Sequence, residues 1–166
     1  MVQVVTFGNF KGGTGKTTNS CMISYQLAKQ GYKVLLADLD PQANATSLYL
    51  KTKQVQTNEV VKFDNTLMNA ISNDDISTIV TEIRDNLYLL PSFADFTSYP
   101  IFLEKKYPNP DEQYKRAKHF STLLDKIKDN YDYVIIDTPP TVSLYTDSAV
   151  LASDQVVIVL QTQERS

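Results

Sequence analysis

Residues 11–18 read Lys11-Gly12-Gly13-Thr14-Gly15-Lys16-Thr17-Thr18, a few positions after the apolar run Val4-Val5-Thr6-Phe7. Three glycines in four positions let a backbone turn its N–H groups inward around phosphate oxygens, where side chains with a Cβ would obstruct. Lys16 supplies charge that can reach terminal phosphates, and the Thr17 hydroxyl is placed to ligate the Mg²⁺ that accompanies them. Thr18 can bond the next phosphate inward. The run from Val2 to Phe7 is rich in β-formers, and Thr17 to Gln30 carries Cys21, Ile23, Leu27 and Ala28 at helical spacing before Gly31 stops it. The segment therefore predicts strand, phosphate-binding loop and helix.

Working outward, Lys33 to Asp38, Asn86 to Leu90, Tyr133 to Asp137 and Gln155 to Leu160 are further apolar runs of strand length, which gives five strands with the first. Helical connections lie between them, most clearly from Asp111 to Asn130 and from about Leu144 to Ala152. Strands alternating with helices predict an α/β fold, a doubly wound and mainly parallel sheet of P-loop NTPase type with helices on both faces. Ligands then belong at the carboxyl ends of the strands. The stretch from about Leu50 to Arg84 is polar and short in period, and is expected to hold one or two short helices with mobile connections. At 166 residues, 42% of them hydrophobic, the chain has the size of one domain with a sizeable core.

Two acidic segments fall at strand ends. In Ala37-Asp38-Leu39-Asp40-Pro41-Gln42-Ala43-Asn44, strand alternation places Asp38 and Asp40 on one face and Leu39 on the other. Two carboxylates converging on one spot are unfavourable unless a cation is present, and Mg²⁺ with ATP at the neighbouring loop would supply it. In Tyr133-Val134-Ile135-Ile136-Asp137-Thr138-Pro139-Pro140, an apolar strand delivers one carboxylate, Asp137, able to hold Mg²⁺ through a water. The prolines stiffen the turn that follows.

The general pattern G-x-x-x-x-G-K-[ST] would need glycine where Phe10 stands, and a second lysine, Lys11, heads the glycines instead. This arrangement resembles the ParA/MinD group of ATPases, whose variant loop is K-G-G-x-G-K-T-T, with every fixed position matched. Asp-x-Asp-Pro-Gln-x-Asn at 38–44 resembles the ParA branch in particular, and the strand ending at Asp137 looks like Walker B. Asn86 to Ser92 and the run from Tyr131 to Gln161 are similar to the same family, so the likeness extends over the whole chain.

The resemblance implies ATP and Mg²⁺ as cofactors, bound by Lys11, Gly12, Gly13, Thr14, Gly15, Lys16, Thr17 and Thr18. Thr17, Asp38 and Asp137 would serve the metal, and Lys11, Lys16 and Asp40 would be catalytic. Asp40 would orient the attacking water, while Lys11 would cross to the nucleotide of the other subunit in an ATP-dependent homodimer. Thr138 to Thr141 is a candidate switch. The implied function is a slow ATPase switch for plasmid or chromosome partition, cytoplasmic in a bacterium and associated with the nucleoid. A centromere-binding ParB-like protein would stimulate hydrolysis, and nonspecific DNA would be bound through regions outside this chain. Family members normally continue past Gln161 with elements that contact adenine and carry much of the DNA-binding surface, so a part of the family fold is expected to be missing. A MinD-like membrane-positioning ATPase is one alternative, although Pro41-Gln42 and Asn44 favour partition. A small-molecule synthetase of the same fold is another, and a noncatalytic ATP-binding regulator a third. An iron–sulfur carrier would need paired cysteines, and a related tyrosine kinase would need tyrosines clustered at a terminus, whereas the ten here are scattered.

Composition narrows the field further. No apolar stretch approaches the roughly 20 residues of a membrane span, and the first residues do not resemble a secretory signal, so stable membrane association is not expected. One cysteine, Cys21, excludes an internal disulfide and is expected to pack on the first helix. A net charge of −3 and a pI near 5.1 do not suit a protein that coats nucleic acid. Lys105, Lys106, Lys115, Arg116 and Lys118, interrupted by Tyr107 and Tyr114, are interspersed with Glu104, Asp111 and Glu112 and read as a solvated helix face. His119, the sole histidine, is expected on an amphipathic helix without an evident partner. Asp74-Asp75 reads as a cap for a helix beginning near Ile76.

Overall fold

The structure is a computed structural model that describes residues 1–9, 11–58 and 60–160. Six strands form one sheet: β1 (Gln3–Gly8), β2 (Val34–Asp38), β3 (Thr81–Arg84), β4 (Leu87–Leu90), β5 (Tyr133–Asp137) and β6 (Gln155–Ile158), in the order β3-β4-β2-β5-β1-β6. Every neighbouring pair is parallel except β3 with β4. The connecting helices are α1 (Lys16–Lys29), α2 (Asn44–Thr57), α3 (Leu67–Ser72), α4 (Tyr99–Lys106), α5 (Gln113–Leu124) and α6 (Leu144–Ala152).

Alternation along the strands sorts the interior into two layers. From β2, Leu35 and Ala37 join one buried cluster with Phe96, Tyr99, Phe120, Leu123 and Ala149, on the side of α4, α5 and α6. Val34 and Leu36 join the other, with Cys21, Ala28 and Tyr49 from α1 and α2. A central strand covered on both faces has no polar side to show, which is why β2 and most of β5 are continuously apolar and buried. Cys21 packs on α1 as expected, and burial pushes its thiol up to about 12, which leaves it unreactive. At the far edge β6 leaves its side chains exposed.

The doubly wound parallel fold agrees with the sequence reading, and α6 falls at the expected residues. The strand count does not. β3 is a sixth strand, antiparallel at the sheet edge, with a register shift between Glu82 and Arg84. Its sequence Thr-Glu-Ile-Arg buries only Ile83, so it carries little of the apolar signal that marks a central strand. The polar stretch from about Leu50 to Arg84 holds the short α3 and a 3-10 turn at Ile76–Ile79, as expected, and also the second half of the 14-residue α2, which buries just Ala45, Thr46 and Tyr49. The helix expected over 111–130 is α5 flanked by 3-10 turns at Pro110–Glu112 and Lys128–Asn130.

Asp75 caps the segment starting at Ile76, accepting from the Ser77 N–H at 3.1 Å, although that segment is a 3-10 turn rather than an α-helix. The basic residues on α4 and α5 lie largely exposed, yet several are engaged. Arg116 Nε and Nη2 donate to the Tyr107 carbonyl at 2.8 and 2.7 Å, Lys115 pairs with Glu112, and Lys106 pairs with Asp74. His119 corrects the expectation that it lacks a partner. It is buried, its Nδ1 lies 3.1 Å from the Tyr107 hydroxyl, and its Nε2 lies 4.0 Å from an Asp74 carboxylate oxygen. Among the described residues no helix is long and apolar enough to cross a membrane.

Candidate nucleotide-binding site

The loop leaves β1 at Gly8 and enters α1 at Lys16. Gly13 and Gly15 hold φ of 74° and 87°, left-handed backbone that a side chain would strain. No side chain caps α1, so its first N–H groups and the positive end of its dipole remain for an anion. The lead-in is pinned. The Lys11 N–H donates to Asn9 Oδ1 at 2.8 Å, and Asn9 Nδ2 donates to the Val159 carbonyl at 2.6 Å, just past β6. The Lys11 carbonyl in turn accepts from Lys16 Nζ at 3.3 Å and from Thr14 Oγ1 at 3.4 Å.

A cavity of about 490 Å³ opens over this loop, lined by the run from Gly12 to Thr18 together with Asp40, Gln42, Asn44, Thr138 and Pro140. Seven of the eight predicted loop residues thus border one space at the carboxyl end of the sheet, and Lys11 is the one outside the lining. A volume of this size suits a small organic ligand.

Asp137 stands behind Thr17. The Thr17 hydroxyl donates to Asp137 Oδ2 at 2.7 Å, while Oδ1 is buried with no hydrogen-bond partner among the described residues. Burial pushes this carboxyl up to about 6, opposed by the Thr17 hydrogen bond. An orphaned, anionic-capable oxygen beside a loop hydroxyl fits a cation that takes further ligands from phosphates and water. Among the described residues no cluster of three His, Cys, Asp or Glu is placed to hold a metal.

Asp38 is not among the residues that line the cavity. It stands directly across from Asp137 in the β2–β5 register and is fully buried. Its Oδ2 accepts from the Thr46 N–H at 2.8 Å and the Thr46 hydroxyl at 2.7 Å, and its Oδ1 accepts from the Asp40 N–H at 3.1 Å. Burial pushes Asp38 up to about 7, with the Thr46 hydrogen bonds opposing. Only Asp40 borders the cavity, its Oδ1 accepting from the Gln42 N–H at 2.9 Å. Leu39 joins Leu35 and Ala37 in one buried cluster, as strand alternation expects, and its N–H donates to the Asp137 carbonyl at 2.9 Å. Both oxygens of the Asp38 carboxylate, the one expected at the metal, accept from protein donors.

The chain then turns through Ala43, whose left-handed φ of 53° is unusual for a residue with a Cβ. The Ala43 N–H closes this turn on the Asp40 carbonyl at 2.8 Å. In the segment after β5, Thr138 Oγ1 donates to the Phe7 carbonyl at 2.9 Å and Thr146 Oγ1 to the Thr141 carbonyl at 2.7 Å. Sequence reasoning quoted Gln42, Asn44, Thr138 and Pro140 within motifs but gave none of them a place in the cavity wall. It passed over Thr46 entirely, although two residues after the motif is where a helix's first turn offers its N–H groups.

A glycine loop joining a parallel strand to the helix it opens, with an acidic strand end bonded to the loop's threonine, defines the P-loop NTPase class. Comparison with known proteins refines this. Residues 2–166 match the AAA domain family, AAA_31, and the chain belongs to that family, in its ParA/MinD-type branch. The sporulation initiation inhibitor protein Soj of Bacillus subtilis is 37% identical over 163 residues, covering 98% of this chain and 60% of Soj. A proposed plasmid partition protein of Borrelia burgdorferi, solved bound to AMPPNP, superposes with a TM-score of 0.77 at 27% identity, over 96% of this chain and 61% of that one. Cobyrinic acid a,c-diamide synthase of Mycobacterium smegmatis, solved with ADP and magnesium, gives a TM-score of 0.80 at 27% identity, over 96% and 60%. The chain spans from 40% to 60% of the length of the curated relatives in this comparison.

Proposed function

We propose that this chain carries the Mg·ATP site of a slowly hydrolysing, dimerising switch that acts in plasmid or chromosome partition. The observation that supports it most is the single cavity that brings the loop from Gly12 to Thr18 against Asp40, with Asp137 hydrogen-bonded behind Thr17. The likeness to Soj and to the Borrelia protein favours partition, and the nucleotides in the two solved relatives favour ATP.

In this reading the loop amides and Lys16 hold the β- and γ-phosphates, and Thr17 with Asp137 orders the metal side of the site. Mg²⁺, when bound, neutralises charge on the phosphate oxygens. Asp40 orients a water for in-line attack, so that its oxygen bonds to the γ-phosphorus as the bond to the bridging oxygen of ADP breaks. Lys11 reaches the nucleotide of the other subunit. A cation added in this way contributes on the order of 10³ to 10⁵ in rate where an arginine finger does so, which makes turnover depend on dimerisation. Slow hydrolysis keeps the bound state long enough for a centromere-binding, ParB-like partner and nonspecific DNA to read it. The setting is the bacterial cytoplasm at the nucleoid.

A second reading is kept because the Mycobacterium synthase is as similar in fold as the partition protein. A synthetase would pass phosphate to a carboxylate rather than to water. Phosphate release by the full-length protein, with and without nonspecific double-stranded DNA and at low and raised salt, decides between them. Slow release that rises with DNA and loses that rise at higher salt is expected. Turnover that needs a small carboxylate acceptor would favour the synthetase, and stimulation by anionic liposomes alone would favour the membrane-positioning alternative.

A further inference from the structure

Three donors converge on Asp38, and the residue that supplies two of them also reaches the end of a second strand. Thr46, in the first turn of α2, gives both its N–H and its hydroxyl to Asp38 Oδ2. Its Oγ1 also accepts the Ser92 N–H at 2.9 Å, just past the end of β4. The other carboxylate oxygen of Asp38 accepts the N–H of Asp40, the residue that borders the cavity. Thr46, Asp38 and Ser92 are all nine-tenths or more buried, so each of these bonds is shielded from competing water.

The segment held in this way has no regular structure of its own. Between the end of β2 and the start of α2 lie only Leu39 to Ala43, with Ala43 in the left-handed region. An unusual backbone conformation persists where its surroundings over-determine it. Here the determinants are the bond from the Leu39 N–H to the Asp137 carbonyl at 2.9 Å, the Asp40–Ala43 turn, the bond from Gln42 to Asp40, and the link from Asp40 through Asp38 to Thr46. Only the last of these ties the turn to the sheet and to α2 at once.

We infer that Thr46 is a positioning residue for Asp40, acting through Asp38, so that α2 and the end of β4 set where the cavity carboxylate stands. The inference rests on the hydrolytic reading for its kinetic consequence alone. Its hydroxyl spans Asp38 and Ser92 as donor to one and acceptor from the other, a pairing that serine can reproduce and valine cannot.

The test uses the full-length protein with Thr46→Val, Thr46→Ser, Asp38→Asn and the Thr46→Val/Asp38→Asn double variant. The expected result is a fall in kcat of at least tenfold for Thr46→Val, with KM and ATP affinity within about threefold of the parent. Thr46→Ser should recover to within about threefold, and the double variant should be no slower than Asp38→Asn. Parental kcat in Thr46→Val, a parallel loss of ATP affinity, or failure of serine to rescue would overturn the inference. Amide hydrogen exchange supplies a readout that does not need turnover. In Thr46→Val the Asp40 and Ser92 amides should exchange at least tenfold faster while those of β5 keep their protection, and serine should restore them. Unchanged protection at Asp40 would overturn the inference even if hydrolysis fell. If the parent binds ATP yet releases no phosphate, the hydrolytic reading fails and the exchange rates alone decide the role of Thr46.

Discussion

Thr17 and Asp137 are joined by a 2.7 Å hydrogen bond from hydroxyl to carboxylate, and the second oxygen of that carboxylate is buried without a hydrogen-bond partner among the described residues. The pair links the first turn of α1 to the end of β5, the two elements that a P-loop site needs in register. A donor that orients a ligating group is worth about 10- to 100-fold in metal affinity in characterised sites.

Asp137→Asn keeps an oxygen for Thr17 but removes the anionic charge. The expected outcome is a loss of about 10- to 100-fold in Mg²⁺-dependent tightening of ATP binding, with metal-free nucleotide affinity little changed. Titration of a fluorescent ATP analogue with and without Mg²⁺ checks this, and equal losses in both conditions would count against it.

Lys16 and Asp40 should separate binding from turnover. Lys16→Ala should abolish measurable ATP binding, whereas Asp40→Ala should retain ATP and block phosphate release. Equilibrium binding and a phosphate-release assay on the same preparations distinguish them. An Asp40→Ala variant that hydrolyses ATP at the parental rate would remove Asp40 from the water-positioning role.

The raised carboxyl of Asp137 has a definite sign. Its folded value of about 6 exceeds the unfolded one, near 3.9, so the folded state holds a proton that the unfolded state has released in that interval. Its contribution is therefore most favourable at low pH and is lost as pH rises through about 6. The total is on the order of 3 kcal/mol. Without nucleotide, the difference in melting temperature between Asp137→Asn and the parent should widen in the variant's favour between pH 4.5 and 7. A difference that is flat across this range would contradict the burial assigned to Asp137.

His119 acts in the opposite direction. Burial, helped by Lys106 and opposed by Asp74, lowers its folded pKa below the ordinary value near 6.5. As pH falls through 6.5 the unfolded chain takes up the proton first, so stability should drop until the folded histidine also protonates. His119→Asn, whose amide can still pair with the Tyr107 hydroxyl, should lack that drop. Melting curves of the two proteins from pH 7.5 to 5 should diverge in acid, and parallel curves would place His119 in a more solvated setting.

Much of this architecture could be read from residue order. Residues such as Val34 to Ala37 and Val134 to Ile136 must be apolar on both faces because helices cover both, and that continuity marks central strands without help from tertiary structure. The loop was legible because its chemistry is local: glycines for the turn, a lysine and hydroxyls for phosphate. What escaped was set by partners distant in sequence. β3 is paired with β4 alone at the sheet edge, and the mostly polar α2 has its first turn bonded to Asp38, contacts that local sequence does not carry. The strand rule that set Leu39 opposite Asp38 agrees with its packing beside Leu35 and Ala37, but it carries no sign that, of Asp38 and Asp40, only the second borders the cavity. Only the structure shows that Thr46, eight residues on, claims the first of the two.

The Asn9 bracket has a practical consequence for anyone shortening this chain. No residue of β6 borders the cavity, so the outermost strand looks dispensable for nucleotide. Yet the side chain that holds the Lys11 amide is itself anchored on the Val159 carbonyl, whose residue donates back to Gly8 at 3.2 Å. The phosphate loop is thus buttressed from outside, like an arch whose thrust is taken by a wall standing apart from it. Trimming before Val159 would spare every cavity-lining residue and still loosen the entrance to the loop.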